Sequence, residues 1–265
     1  MSLSDHTTTK SSSNLPWLTD GQEFPAPEQA WGLADPVPGL LAAGETLNVA
    51  TLLRAYARGI FPWFSQDQPV LWWSPDPRMV LSVRAFKMRR SLRKAVVRFT
   101  EDPRCEIRLD SAFERVIDAC ASKPRPGQSG TWIMPSMQQA YLELHRAGYA
   151  HSVETWINGE LAGGLYCVNL GTMVFGESMF AHQTDASKIA LTALVAFCRA
   201  SGIEMIDCQQ NTSHLASLGA GEIRRSEFSD YLGCHVAQPA PRWQFDSQHW
   251  NQILTATPAT GSKTP

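Results

Sequence analysis

The segments Gly171-Thr-Met-Val-Phe-Gly-Glu-Ser-Met-Phe180, Asp185-Ala-Ser-Lys188, Ile206-Asp-Cys-Gln209 and His214-Leu-Ala-Ser-Leu-Gly219 decide the fold. Residues 172–180 and 203–209 read as strands, and 186–200 between them as a long helix opened by Asp185. Working upstream, His151 to Ile157 alternates like a strand. Asn158-Gly159 is the strongest hairpin signal in the chain, and Leu161 to Asn169 continues the meander. Downstream, Ser213 to Leu218 starts a short helix. Hairpin, strand, long helix, strand and short helix make a mixed α/β (α+β) fold, which is as far as periodicity goes.

The segments ahead of this block are mostly helical or broken by proline. Asn48 to Arg58 reads as a short helix capped by Asn48 and stopped by Gly59. Residues 87–99, 111–121 and 135–147 carry amphipathic helical spacing, with Pro135 in a first turn and Gly148 past an end. Phe61, Trp63, Phe64, Trp72 and Trp73 are separated by Pro62 and Pro69, so short strands and turns must carry them. Residues 15–40 are Pro-rich and read as an irregular lead-in. Past residue 236 the chain is a tail, in which Trp243, Phe245 and Trp250 suggest partial docking.

Composition narrows the function classes. At 265 residues with 43% hydrophobic content, there is material for one large domain or two modest ones. No apolar run approaches the ~20 residues that span a bilayer, and residues 1–14 lack the apolar core of a signal peptide. The six cysteines show no Cys-x-x-Cys spacing, so free buried thiols in a reducing cytoplasm are expected, with no disulfide framework and no metal site. A net charge of −2 argues against indiscriminate nucleic-acid binding. Yet Arg84 to Arg98 holds seven basic residues and no acid, a local positive patch.

Glu177, Asp207 and Gln209 stand in apolar surroundings where carboxylates are seldom left without a purpose. Strand alternation puts Asp207 and Gln209 on one face and Cys208 on the other. A structural hydrogen-bond network with Lys188 or His214 is the competing reading.

Taken with Gly59-Ile-Phe-Pro-Trp-Phe64 and Leu71-Trp-Trp-Ser-Pro-Asp-Pro-Arg78, the block at 171–219 resembles the leucyl/phenylalanyl-tRNA–protein transferases over roughly residues 39–235. The resemblance implies a small N-terminal α/β domain at 39–77, a catalytic core at 78–236 like that of the N-acetyltransferases (GNAT-like), and flanking segments at 1–38 and 237–265. It implies transfer of Leu or Phe, with Met tolerated, from aminoacyl-tRNA to the α-amine of proteins with N-terminal Arg or Lys. Neither metal, ATP nor any other cofactor is expected, and the enzyme is expected to be a cytoplasmic monomer without a membrane partner. Its product is expected to carry a destabilising N-terminus that marks it for proteolysis.

Residue by residue, the resemblance makes Asp207, Gln209 and Glu177 catalytic. Asp207 or Gln209 would meet the attacking amine, with Asp207 orienting Gln209, while either acid could meet the acceptor's positive charge. An unionised amide is a poor base, so Gln209 is assigned positioning. Leu165, Val174, Phe175, Glu177, Ser178, Leu194 and Ile206 match the donor side-chain pocket. Trp63 and Trp132 match stacking platforms for the terminal adenosine. Lys87, Arg89, Arg90, Arg93 and Lys94 match a basic helix that holds the acceptor stem by its backbone.

Two positions depart from the family pattern. Ala181-His182 replaces the usual Ser-Arg, removing a fixed positive charge, and Gly44-Glu45-Thr46-Leu47 replaces Gly-Gly-Asp-Leu. Three other readings compete. An acyl-CoA acetyltransferase would need a Gly-rich phosphate loop where His182 to Lys188 has no glycine. A non-catalytic tRNA-binding protein would have no need for Glu177, Asp207 and Gln209. An enzyme loading amino acids onto cell-wall precursors or lipids would take acceptors lacking the N-terminal basic residue.

Overall fold

The computed structural model describes residues 14–122 and 133–255. The Trp/Pro-rich block folds as expected, into short strands: β1 (Trp17–Leu18), β2 (Leu40–Gly44), β3 (Phe61–Pro62) and β4 (Leu71–Trp73) form a four-stranded sheet in the order β1-β2-β4-β3. β1 lies inside the stretch read as irregular. It is only two residues long, too short for alternation to register, and its parallel pairing with β2 makes it a strand. Helix α1 (Val49–Tyr56) connects β2 to β3, and the Asn48 side chain caps it by accepting from Thr51 N at 2.9 Å.

The second sheet has seven strands in the order β11-β5-β10-β9-β8-β7-β6. They are β5 (Arg78–Ser82), β6 (Cys105–Leu109), β7 (Ala150–Ile157), β8 (Glu160–Leu170), β9 (Met173–Ala181), β10 (Met205–Gln209) and β11 (Gly221–Ile223). Asn158 and Gly159 both take positive φ (54° and 77°), giving the two-residue turn between β7 and β8 the twist the hairpin needs. Helices α2 (Arg90–Glu101), α3 (Phe113–Ser122), α4 (Pro135–Arg146), α5 (Ala186–Ala200), α6 (Ser213–Ser217), α7 (Arg225–His235) and α8 (Asn251–Leu254) complete the fold. The chain is mixed α/β, and the hairpin, strand, helix, strand and short helix at 150–217 follow in the order read from the sequence.

Two apolar clusters organise the described residues. One joins the four-stranded sheet and α1 to α3, α4 and α7, through residues such as Tyr56, Trp72, Tyr141, Phe175 and Phe228. The other packs α2 and α5 on Leu165, Val174 and Ile206, and is closed by the C-terminal residues Trp250 and Ile253. Trp243 docks as well, its ring 4.0 Å from that of His151 in a parallel stack. Asp185 does open α5, but not as a side-chain cap. It takes a left-handed φ of 64°, and its carboxylate accepts from Lys188 Nζ at 2.9 Å.

Candidate active site

β9 and β10 are the only parallel neighbours among the described strands of the large sheet, joined by α5 as the crossover. Their ladder consists of Ile206 opposite Val174 and Asp207 opposite Phe175. Immediately beyond, both strands are irregular. In β9, Gly176 and Ser178 pair with Cys167 and Tyr166, leaving Glu177 as the extra residue of a bulge. In β10, Asp207 and Gln209 pair with Val80 and Met79, leaving Cys208 as the extra one. Bulges re-aim side chains and end pairing, and here they turn Glu177 and Gln209 toward each other where the parallel pair ends.

Gln209 takes a φ of 62°, an uncommon conformation for a side-chain-bearing residue. Its amide Nε2 donates to Glu177 Oε1 at 2.8 Å. The simple alternation read from the sequence therefore fails at Cys208, yet Asp207 and Gln209 remain coupled: Gln209 N donates to Asp207 Oδ1 at 2.9 Å.

Asp207 is fully buried, and its partner is neither Lys188 nor His214. Arg78 grips it with both prongs, Nε to Oδ1 at 2.8 Å and Nη2 to Oδ2 at 2.6 Å. Arg78 Nη1 donates to Gly59 O at 3.0 Å, and the guanidinium lies against the rings of Phe61 and Phe228. A Cβ on Gly59, whose φ is 71°, would come within 2.9 Å of the Phe228 ring, so glycine permits this close layering.

Glu177 is half-buried and meets two tyrosines from the other layer. Tyr56 Oη lies 2.8 Å from Oε1, Tyr141 Oη lies 3.1 Å from Oε2, and the two hydroxyls are 2.5 Å apart. Burial pushes the Glu177 carboxyl up to about 8, outweighing the hydrogen bonds from Tyr56 and Tyr141 that pull it down. Burial, reinforced by the charge of Glu177, holds both tyrosine hydroxyls well above their ordinary range. Tyr56, Tyr141 and Arg78 are site residues that the sequence reading missed. Arg78 closes one of the segments quoted for the resemblance, so a signal existed. Tyr56 stands 121 residues from Glu177 and gave none.

Leu165, Val174, Leu194 and Ile206 come together in the apolar cluster beneath α5. Phe175 points to the opposite face, its ring 5.0 Å from that of Tyr56. These five and Ser178 are buried, and a cavity of about 620 Å³ lies elsewhere, between Glu45, Leu47, Phe64, Val70 and Met134. Trp63 is half-buried, its ring centroid 5.3 Å from that of Trp73, whereas Trp132 lies outside the described residues.

The basic segment is displaced from its expected frame. The helix starts at Arg90 with Arg89 as N-cap, so Lys87 and Arg89 precede it. All five cations are exposed, and among the described residues none has a carboxylate within ion-pair distance. Lys87 N donates to Leu218 O at 2.7 Å, tying this segment to the end of α6, which follows Gln209 in the chain. Gly219 makes room for that contact, since a Cβ there would sit 2.3 Å from Ala85 O.

The model of the family described as "Leucyl/phenylalanyl-tRNA protein transferase" matches residues 80–233, and that of its N-terminal domain matches residues 45–76. The chain belongs to this family. A leucyl/phenylalanyl-tRNA–protein transferase of Polaromonas sp. is 68% identical over 246 residues, covering 93% of this chain and 96% of the relative. Those of Albidiferax ferrireducens and Methylibium petroleiphilum are 63% and 56% identical, each covering at least 91% of this chain and 95% of the relative. As a leucyl/phenylalanyl-tRNA–protein transferase family member, the chain is an enzyme that moves an aminoacyl group from tRNA to protein.

Proposed function

We propose that the enzyme transfers Leu or Phe from its tRNA to the α-amine of proteins beginning with Arg or Lys. The reaction would take place in the cytoplasm, by a monomer, and would leave a product marked for proteolysis. The observation that carries this reading is the Glu177–Gln209 pair at the split end of β9 and β10. An aminoacyl ester is already activated, and an α-amine of pKa about 8 is partly nucleophilic at neutral pH. The protein then has to orient the reactants and manage one proton.

With Nε2 of Gln209 committed to Glu177, its carbonyl oxygen remains as an acceptor for an amine N–H. That fits positioning of the nucleophile better than proton abstraction. Asp207, sealed beneath and bonded through both oxygens, supports the site by holding the Gln209 backbone and is not a direct contact for substrate. Leu165, Val174, Leu194 and Ile206, with Phe175 and Ser178, are the surface from which a slot for the donor side chain would open. Such a slot separates side chains by only about 1–3 kcal/mol per methylene, so Met should be accepted beside Leu and Phe.

Arg90, Arg93 and Lys94 occupy the first turns of α2, where the helix already presents positive charge. Cations there are unfavourable by about 0.3–1 kcal/mol each unless an anion joins them. This supports phosphate binding by Lys87, Arg89, Arg90, Arg93 and Lys94 over a merely solvated face. Trp63, and Trp132 by resemblance, would stack the terminal adenosine.

The test is transfer of labelled leucine from charged tRNA to a peptide with N-terminal Arg, beside acetyl-Arg and N-terminal Ala controls. Transfer confined to the free Arg peptide is the expected result. Equal transfer to the Ala peptide would overturn the acceptor assignment.

A further inference from the structure

Glu177, Tyr56 and Tyr141 form a closed triangle of three short oxygen–oxygen contacts: Oε1 to Tyr56, Tyr56 to Tyr141, and Tyr141 to Oε2. Each contact needs a proton between its oxygens to be attractive, and two hydroxyls supply only two. The third must come from the carboxyl group. With Glu177 protonated, every member donates once around the ring: Oε2 to Tyr141, Tyr141 to Tyr56, and Tyr56 back to Oε1. Moving the three protons one step around the ring changes which carboxyl oxygen carries the acid proton and leaves the net charge untouched.

Around the ring, burial and the Asp207 charge disfavour an added negative charge, and together they outweigh the Tyr56 and Tyr141 hydroxyls and Arg78, which favour one. β10 contributes Asp207 and the Gln209 amide, β8 the buried Cys167 thiol, and α1 and α4 the two phenols. The nearby cation, Arg78 on β5, is already committed to Asp207. The raised carboxyl described above agrees with this proton count.

We propose that Glu177 enters the reaction as a carboxylic acid and that the Glu177–Tyr141–Tyr56 ring carries one proton from the attacking α-amine to the departing ribose oxygen of the tRNA. The inference rests on the transfer reaction proposed above. In that step a carbon–nitrogen bond forms to the ester carbonyl carbon and the ester carbon–oxygen bond breaks. The nitrogen loses one proton and the ribose oxygen gains one. One carboxyl oxygen of Glu177 delivers its proton to the leaving oxygen, the other takes the proton from nitrogen, and the ring shift restores the starting arrangement. Tyr56 and Tyr141 act through Glu177 and are positioning residues.

The experiment is single-turnover transfer of leucine from a preformed complex of enzyme and aminoacyl-tRNA to saturating Arg peptide, between pH 6 and 10. The wild-type rate should rise as the amine loses its proton and then fall as Glu177 loses its own, both near pH 8. Glu177→Gln keeps a neutral partner for both tyrosines but holds no transferable proton. It should lose about 100-fold in rate and lack the alkaline fall, with aminoacyl-tRNA affinity within about twofold. Tyr141→Phe removes the hydroxyl that turns to donate to Glu177 once the carboxyl is ionised, so its alkaline limb should move to higher pH.

The proposal is overturned by Glu177→Gln retaining transfer within about threefold of wild type. A wild-type rate that stays flat to pH 10, or a Tyr141→Phe profile lowered uniformly without displacement, would do the same. With wild-type transfer intact these outcomes remove the proton relay alone, whereas wild-type enzyme inert toward the Arg peptide would remove the underlying reading too.

Discussion

Arg78 and Asp207, 129 residues apart in the chain, meet in a two-pronged ion pair from which solvent is excluded. The pair joins the first residue of β5 to the strand that ends in Gln209, and through Gly59 and Phe61 it also grips the smaller sheet. Its burial makes it a keystone of the fold as well as a support for the site.

Removing one partner strands the other charge in the interior. Asp207→Ala or Arg78→Ala should therefore destabilise the enzyme by about 3–5 kcal/mol, seen as a lower urea midpoint. Asp207→Asn, which keeps an acceptor for the Gln209 backbone, should lose less. A midpoint unchanged in Asp207→Ala would refute the keystone role.

Gln209→Ala should separate chemistry from folding. The side chain is half-buried and its loss opens no core cavity, so stability should change by no more than about 1 kcal/mol. Transfer should fall about 100-fold, with tRNA affinity preserved. Matching losses in transfer and tRNA binding would instead place Gln209 in the binding surface.

The basic segment should show itself through salt. Each phosphate contact contributes a slope of about −0.9 to the dependence of log K on log salt concentration. Replacing both Arg90 and Lys94 by Ala should weaken tRNA binding and reduce the slope by about 2. An unaltered slope would move the tRNA surface elsewhere.

Glu177 also makes stability depend on pH, independently of any reaction. Its carboxyl is held up at about 8 when folded, against about 4.3 when the chain is unfolded. Between those values the folded state holds the proton and the unfolded state does not. Stability therefore falls as pH rises through that window and is unaffected by Glu177 below it. Relative to wild type, Glu177→Gln should be about equally stable at pH 4 and gain a few kcal/mol by pH 9, measured by urea unfolding. Parallel stability curves for the two proteins would mean that Glu177 is ionised throughout.

Much of this was legible in the sequence. Alternation, the Asn158-Gly159 turn and the helical run after Asp185 located β7 to β10 and α5 to within a few residues, because those segments answer mainly to local periodicity. The four-stranded sheet was legible only as a crowd of aromatics and prolines, since β1, β3 and β4 are too short to carry a period and β2 is buried along its whole length, without alternation. The positions of Glu177 and Gln209 were known, but their meeting depends on two bulges, each a one-residue slip that no spacing rule displays. Tyr56 and Tyr141 were hidden because both read as ordinary helix residues, and the layer that brings them to Glu177 forms only through tertiary packing.

In the large sheet, β5, near residue 80, lies between β10, which ends at Gln209, and β11, which ends at Ile223. A chain growing from its N-terminus on the ribosome therefore carries β5 with both neighbours missing until the residues of β10 and β11 have been translated. Contacts of such long range also close slowly. The site at the end of β10 can be assembled only once that strand has been made, and a translation product that stops before β10 lacks both Asp207 and Gln209.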